Sequence, residues 1–107
     1  MKETIKHSEE ELEILRKIEE NPHLTQRQIA EHLDLSLGKI NYLMKALIDK
    51  GLLMVDNFKN SDNKMRYIYL LTPEGIERRR KLTLLFLQRK AEEFDKLKSE
   101  LERIKPK

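Results

Sequence analysis

Residues 24–51 read LTQRQIAEHLDLSLGKINYLMKALIDKG, and their punctuation is that of two short helices joined by a tight turn. Thr25 with Gln28 three positions on has the form of a capping box, in which hydroxyl and amide satisfy each other's backbone N–H groups. Ile29, Ala30 and Leu33 then supply a buried stripe. Asp34 falls where the turn needs a residue that tolerates a left-handed backbone, and Ser36 is placed to cap a second helix. In that helix Ile40, Leu43, Met44, Leu47 and Ile48 recur at helical spacing and turn one face to a core. Gly51 stops it. The segment is a helix-turn-helix in sequence form, with its second helix at about residues 36–50.

The opposite face of the second helix carries Leu37, Gly38, Lys39, Asn41, Tyr42 and Lys45. These types suit a major groove: lysine meets phosphate or guanine, Asn pairs bidentately with adenine, and an aliphatic side chain touches a thymine methyl. Gly38 costs about 1 kcal/mol against Ala inside a helix, less near its start, and a missing side chain lets the backbone come close to a phosphate or base. Thr25, Gln26 and Ser36, at the two helix starts, are counted with this set. The same residues also make an ordinary solvated face, and two short helices with such a turn occur in protein–protein modules. Both readings stay open on this segment.

Working outward, Ser8–Glu20 forms a helix with Leu12, Leu15 and Ile18 on one side. Glu9, Glu10 and Glu11 are expected in its first turn, where negative charge suits the helix dipole, and Asn21-Pro22 ends it. After Gly51, residues 52–58 and 65–71 read as strands, the second alternating through Met65, Tyr67, Tyr69 and Leu71. The tip between them, Lys59 to Lys64, is polar and rich in turn formers. Three helices and a hairpin with a basic loop are the order of a winged helix, with the wing at about residues 58–66. Lys59, Asn63, Lys64 and Arg66 are its candidate DNA contacts, since arginine and lysine are favoured by the negative potential of a narrow minor groove. Any exposed hairpin tip is also polar, so position carries more weight here than side-chain type.

The chain has 107 residues, enough for one modest core. Charged residues make up 38% and aromatics only 6%, so a partner chain is expected to complete part of the apolar surface. A net charge of +3 argues weakly for nucleic acid, and its distribution matters more. Residues 1–21 hold four Lys/Arg against seven Asp/Glu, whereas residues 73–107 hold eleven against seven, densest at Arg78, Arg79, Arg80 and Lys81. That run either touches flanking phosphates or serves as solubilising surface. Without cysteine there are no disulfides or thiolate metal sites. No membrane span or signal-like start is read, and the expected location is cytoplasmic.

Thr72-Pro73-Glu74-Gly75 opens a last helix, with Thr72 as cap and Pro73 at its first position. It can run unbroken to about Ile104, too long to fold back on so small a domain. Leu87, Phe94, Leu97, Leu101 and Ile104 follow the three-four spacing of a coiled-coil seam, with Ala91 beside it and Lys90 interrupting it. Leu82, Leu84, Leu85 and Phe86 add an apolar cluster nearer the domain. Self-association is the expectation, through Leu84, Leu87, Ala91, Phe94, Leu97, Leu101 and Ile104. Two reading helices about one DNA turn apart, roughly 34 Å, would then match a palindromic operator. The organisation is a winged helix-turn-helix over 1–72 and an oligomerisation helix over 73–107: mainly α with a small β-hairpin.

The core and wing together, LTQRQIAEHLDLSLGKINYLMKALIDKGLL and NFKNSDNKMRYIYLLTPEGIERR, resemble the winged-helix transcription regulators of the MarR family. The likeness extends to its small exopolysaccharide-associated subgroup through SLGKINYLMKALIDKG, NFKNSDNK and YIYLLTPEGI. It implies a bacterial regulator that binds double-stranded DNA, with the helix from Ser36 as reader and the hairpin as wing. Where the larger family carries a wing run like Asp-x-Arg-Asp-Arg-Arg, this chain has Ser61-Asp62-Asn63-Lys64-Met65-Arg66, so no position is assigned to minor-groove insertion. The chain also has little room for the long N-terminal helix common in the family, and no phenolic or antibiotic ligand is carried over.

Catalysis has little support. His7, His23 and His32 lack metal-site spacing, with His32 expected on the solvent side of its helix, and the three glycines are scattered singly, so there is no phosphate loop. No cofactor and no metal are expected. The rival to a DNA-binding regulator is a winged-helix module that binds a protein through Leu37 and Tyr42 or through the long helix.

Overall fold

The helix expected from Ser8 begins earlier. In the computed structural model, which describes residues 2–59, 62, 65–104 and 106, α1 spans Lys2–Glu20, since no glycine or proline interrupts the chain before Asn21-Pro22. The longer start moves Glu9, Glu10 and Glu11 from a first turn to the middle of the helix, so they do not serve its dipole. It also makes α1 the centre of the domain. Ile14, Leu15 and Ile18 are at most 1% exposed and Leu12 is buried beside them, a wider apolar face than one stripe.

Around α1 pack α2 (Gln26–Leu33), α3 (Leu37–Asp49), a hairpin of β1 (Leu53–Lys59) and β2 (Met65–Leu71), and α4 (Pro73–Ile104). Local chemistry sets each boundary as the sequence indicates. Thr25 Oγ accepts from Gln28 N–H at 3.1 Å, and Gln28 Oε1 accepts from Thr25 N–H at 2.9 Å. Ser36 Oγ accepts from Lys39 N–H at 3.1 Å. Both helices end on a left-handed residue, Asp34 at φ 55° and Gly51 at φ 75°. At each end the next amide reaches back to a carbonyl of the last turn, Leu35 to Ala30 and Leu52 to Leu47, the paired-bond helix stop that a left-handed residue permits.

The two strands pair antiparallel from Leu53↔Leu71 to Lys59↔Met65. Their period-two pattern buries Leu53 and Tyr69 on the core. The Tyr69 amide also donates to the Pro22 carbonyl at 3.4 Å, fastening the wing to the α1–α2 linker. Thr72 links the hairpin to α4: its hydroxyl donates to the Gly51 carbonyl at 2.6 Å and accepts from Gly75 N–H at 3.0 Å. A Cβ on Gly75 would run into the Leu52 carbonyl oxygen, so α4 can start this close to β1 only with glycine there.

The first turns of α4 belong to the core and the rest leaves it. Leu82 is buried and Phe86 packs on the core, while Leu84 and Leu85, expected in the same cluster, are exposed. On a 3.6-residue period, 82 and 86 share the face toward α1, and 84 and 85 turn away. The helix is about 48 Å long at 1.5 Å per residue, which gives the molecule its 71 Å long axis. No helix among the described residues is long and apolar enough to cross a membrane.

Three residues of the basic run at 78–81 are engaged in ion pairs. Arg78 reaches both oxygens of Glu11 at 3.0 and 3.4 Å, Arg79 meets Glu19 at 3.1 Å, and Arg80 meets Glu77 at 2.8 Å. The Arg80 guanidinium holds the Glu77 carboxyl below its ordinary pKa, although this exposed i,i+3 pair contributes little to stability. The Glu11 pair differs because the carboxylate is buried while Arg78 is half-exposed. Arg78→Met should therefore cost about 2–3 kcal/mol, by leaving a buried charge without its donors. Glu11→Gln, which still offers Arg78 an acceptor, should cost about 1 kcal/mol. Urea denaturation of both variants checks the order, and equal losses would show that the pair does not clamp α1 to α4.

Candidate nucleic-acid interface

Burial of Ile40, Leu43, Met44 and Leu47 against the core fixes the rotation of α3, and the opposite face is left outside. Leu37 is 42% exposed and Tyr42 69%, with Gly38, Lys39, Asn41 and Lys45 exposed beside them. A Cβ added to Gly38 would meet nothing within 4 Å. The domain itself therefore has no steric need for glycine at this position, in contrast to Gly75.

Three of the candidate side chains are held in place, two of them by partners the sequence did not reveal. Lys39 stands in the first turn of α3, where the helix dipole disfavours a cation, and its Nζ lies 2.9 Å from Glu10 Oε2 on α1. Asn41 donates from Nδ2 to Gln26 Oε1 at 3.1 Å, and Gln26 donates from Nε2 to the Tyr69 hydroxyl at 3.1 Å. This short polar chain runs from the wing strand through the first helix of the motif to the exposed helix. An amide nitrogen carries two hydrogens, so Asn41 keeps one N–H and its carbonyl oxygen for another partner. Thr25 is engaged in its capping box and Ser36 in its cap, which places both at helix N-termini, where backbone amides suit phosphate.

Sequence reading missed Glu10 and Tyr69 as contributors here. Tyr69 was visible as one of an alternating strand set, but nothing local shows that its hydroxyl meets Gln26, 43 residues away. On the wing, Lys59 and Arg66 are exposed on the paired strands; Asn63 and Lys64 lie outside the described residues. On α4, Leu84, Leu87, Ala91, Phe94, Leu97, Leu101 and Ile104 are all exposed, an apolar seam along the projecting half that Lys90 interrupts.

Comparison with known proteins agrees with this architecture. A family model described as winged helix-turn-helix DNA-binding matches residues 11–54. No curated protein sequence matches the chain. Among solved structures, the TA0346 protein of Thermoplasma acidophilum superposes with a TM-score of 0.70 at 20% identity, over 90% of this chain and 96% of that one. MepR of Staphylococcus aureus, in its complex with DNA, superposes with a TM-score of 0.62 at 21% identity, over 92% of this chain and 73% of that one. MarR of Staphylococcus aureus, solved with salicylate and kanamycin, gives 0.61 at 23% identity over 80% of this chain, which spans only 56% of that protein. The chain has a winged helix-turn-helix and shares the fold of these MarR-type regulators.

Proposed function

We propose that the protein is a transcription regulator of MarR type that binds double-stranded DNA sequence-specifically, acts as a homodimer in the cytoplasm and performs no catalysis. The observation that carries this reading is the face of α3 opposite the core: a row of groove-compatible side chains around a glycine that the fold does not need. Glycine in a helix costs stability, less in the first turn where Gly38 stands, and the return is close approach of the backbone to DNA. The MepR complex with DNA is a relative in fold that binds the same class of partner.

The roles divide by position. Asn41 reads a base edge, aimed by Gln26 and Tyr69. Leu37 and Tyr42 contact bases or sugar through apolar surface, Lys45 meets a phosphate, and Lys39 swings from Glu10 or stays to fix the helix. Thr25, Gln26 and Ser36 approach the backbone at the two helix starts. Lys59, Asn63, Lys64 and Arg66 act from the wing on the flanking groove. Residues 1–72 carry the reader and 73–107 the helix that joins two copies. The exposed Leu37 and Tyr42 also fit a module that binds protein instead of DNA, and salt separates the two readings. Phosphate contacts release counterions, so retention on DNA should fall steeply as salt rises. No retention at any salt would favour the protein module.

Selection from a random DNA pool should return a palindromic sequence. In that assay Asn41→Ala should flatten preference at one base pair of each half-site, and Tyr69→Phe should flatten the same pair more weakly. Lys45→Ala should weaken all sequences alike and reduce the salt slope by about two, one for each half-site. An Asn41→Ala profile identical to the parent's would remove Asn41 from the reading set. Gly38→Ala should move two quantities in opposite directions. The free protein should gain about 0.5 kcal/mol in thermal or urea unfolding, while affinity for the selected site drops at least tenfold. A stability gain without loss of affinity would show that DNA does not approach Gly38.

A further inference from the structure

The projecting half of α4 carries an address for one kind of partner, and its charges state the direction in which that partner lies. Leu87, Phe94 and Leu101 form one row of the seam, and Lys90, Leu97 and Ile104 the other, in unbroken three-four alternation. Phe94, Leu97 and Leu101 are 64–65% exposed. In heptad terms these rows are positions a and d, which puts Phe86, Glu93 and Glu100 at g and Leu84, Ala91 and Lys98 at e.

We propose that this seam pairs with α4 of a second copy in a parallel, in-register coiled coil. The proposal rests on the dimer of the proposed function and adds the geometry. In a parallel pair each g residue faces the e residue five positions on in the other helix. Glu93 then meets Lys98 of the second copy, twice by symmetry, so the charged flanks match. An antiparallel pair brings g against g and e against e. The antiparallel register centred between Phe94 and Leu97 sets Glu93 against Glu100 twice and leaves Lys98 without an acid, whereas the parallel pair has one like-charge layer, Lys90 on Lys90, offset by the two Glu93–Lys98 contacts.

Lys90 is consistent with the in-register arrangement. It places one charged layer in the seam, where its Nζ lies 3.7 Å from Glu93 of its own helix. A one-heptad shift would set one Lys90 against Leu97 and the other against Thr83 and disturb two layers instead of one, which is how a lone polar layer selects register at a cost in stability. The direction has a structural consequence. Parallel pairing carries both winged helices at the same end of the rod, on either side of a two-fold axis along α4. Antiparallel pairing centred between Phe94 and Leu97 would hold the two Pro73 ends about 68 Å apart, at 1.5 Å per residue.

The chain has no cysteine, so single introduced thiols report the pairing. Oxidation of Leu87→Cys alone and of Ile104→Cys alone should each give a cross-linked dimer, and a mixture of the two should give no preference for the mixed species. In the antiparallel alternative two Ile104 positions lie about 26 Å apart, neither variant links to itself, and the mixture does. That result would overturn the parallel arrangement and leave the DNA-binding dimer standing. Charge substitution gives a second readout of opposite sign. Glu93→Lys should raise the dimer dissociation constant about tenfold and Glu93→Lys with Lys98→Glu should restore it, whereas tighter assembly of Glu93→Lys would overturn the proposal. A parent chain that is monomeric in light scattering would overturn both this pairing and the dimer it rests on.

Discussion

The structure depends on one helix whose apolar face is shared by four neighbouring elements. α1 offers Ile14, Leu15 and Ile18 to its neighbours with almost no exposure, and α2, α3, β2 and α4 all pack against it. In a chain this small there is one core to share, so each amphipathic element must turn its apolar stripe toward that axis. The outward face of α3 follows from this constraint. Once Ile40, Met44 and Leu47 are inside, Leu37, Tyr42 and Lys45 have nowhere to go but solvent or a groove.

The same packing brings polar groups together that local patterning leaves apart. Two contacts reach the exposed face of α3 from other elements, Glu10 to Lys39 and Tyr69 through Gln26 to Asn41. Both hold a donor-bearing side chain on that face. Held side chains lose less entropy when they meet a partner, so Tyr69 and Glu10 pre-order the exposed face of α3 from neighbouring elements. Glu11 and Arg78 do related work on the other flank, fixing the angle at which α4 leaves the domain. Acidic and basic thirds that look like a balance of charge in the sequence are, in space, ion pairs between α1 and α4.

α4 joins two regimes in one helix. Up to Phe86 it is a core helix, and from Leu87 on it projects with a row of exposed apolar residues. Gly75 and Thr72 fix where it starts, by close packing on Leu52 and a hydroxyl shared between Gly51 and Gly75. Its exposed leucines are tolerable on a chain rich in charge only if another surface covers them.

Much of this was legible in the sequence because it is local physics. The capping box at Thr25, the cap at Ser36, the left-handed stops at Asp34 and Gly51, the hairpin and the start of α4 at Thr72-Pro73 each depend on residues within a turn of one another, and each stands where those residues indicate. The face of α3 was legible too, since a 3.6-residue period with a clear apolar stripe fixes its complement. Tertiary structure alone decided the length and centrality of α1, the burial of Glu11, the exposure of Leu84 and Leu85, the use of the Arg78 run in ion pairs, and the hold of Tyr69 and Gln26 on Asn41. Those outcomes depend on which elements become neighbours across 40 to 70 residues of chain, and hydrogen bonds and ion pairs over such distances leave no period in a sequence.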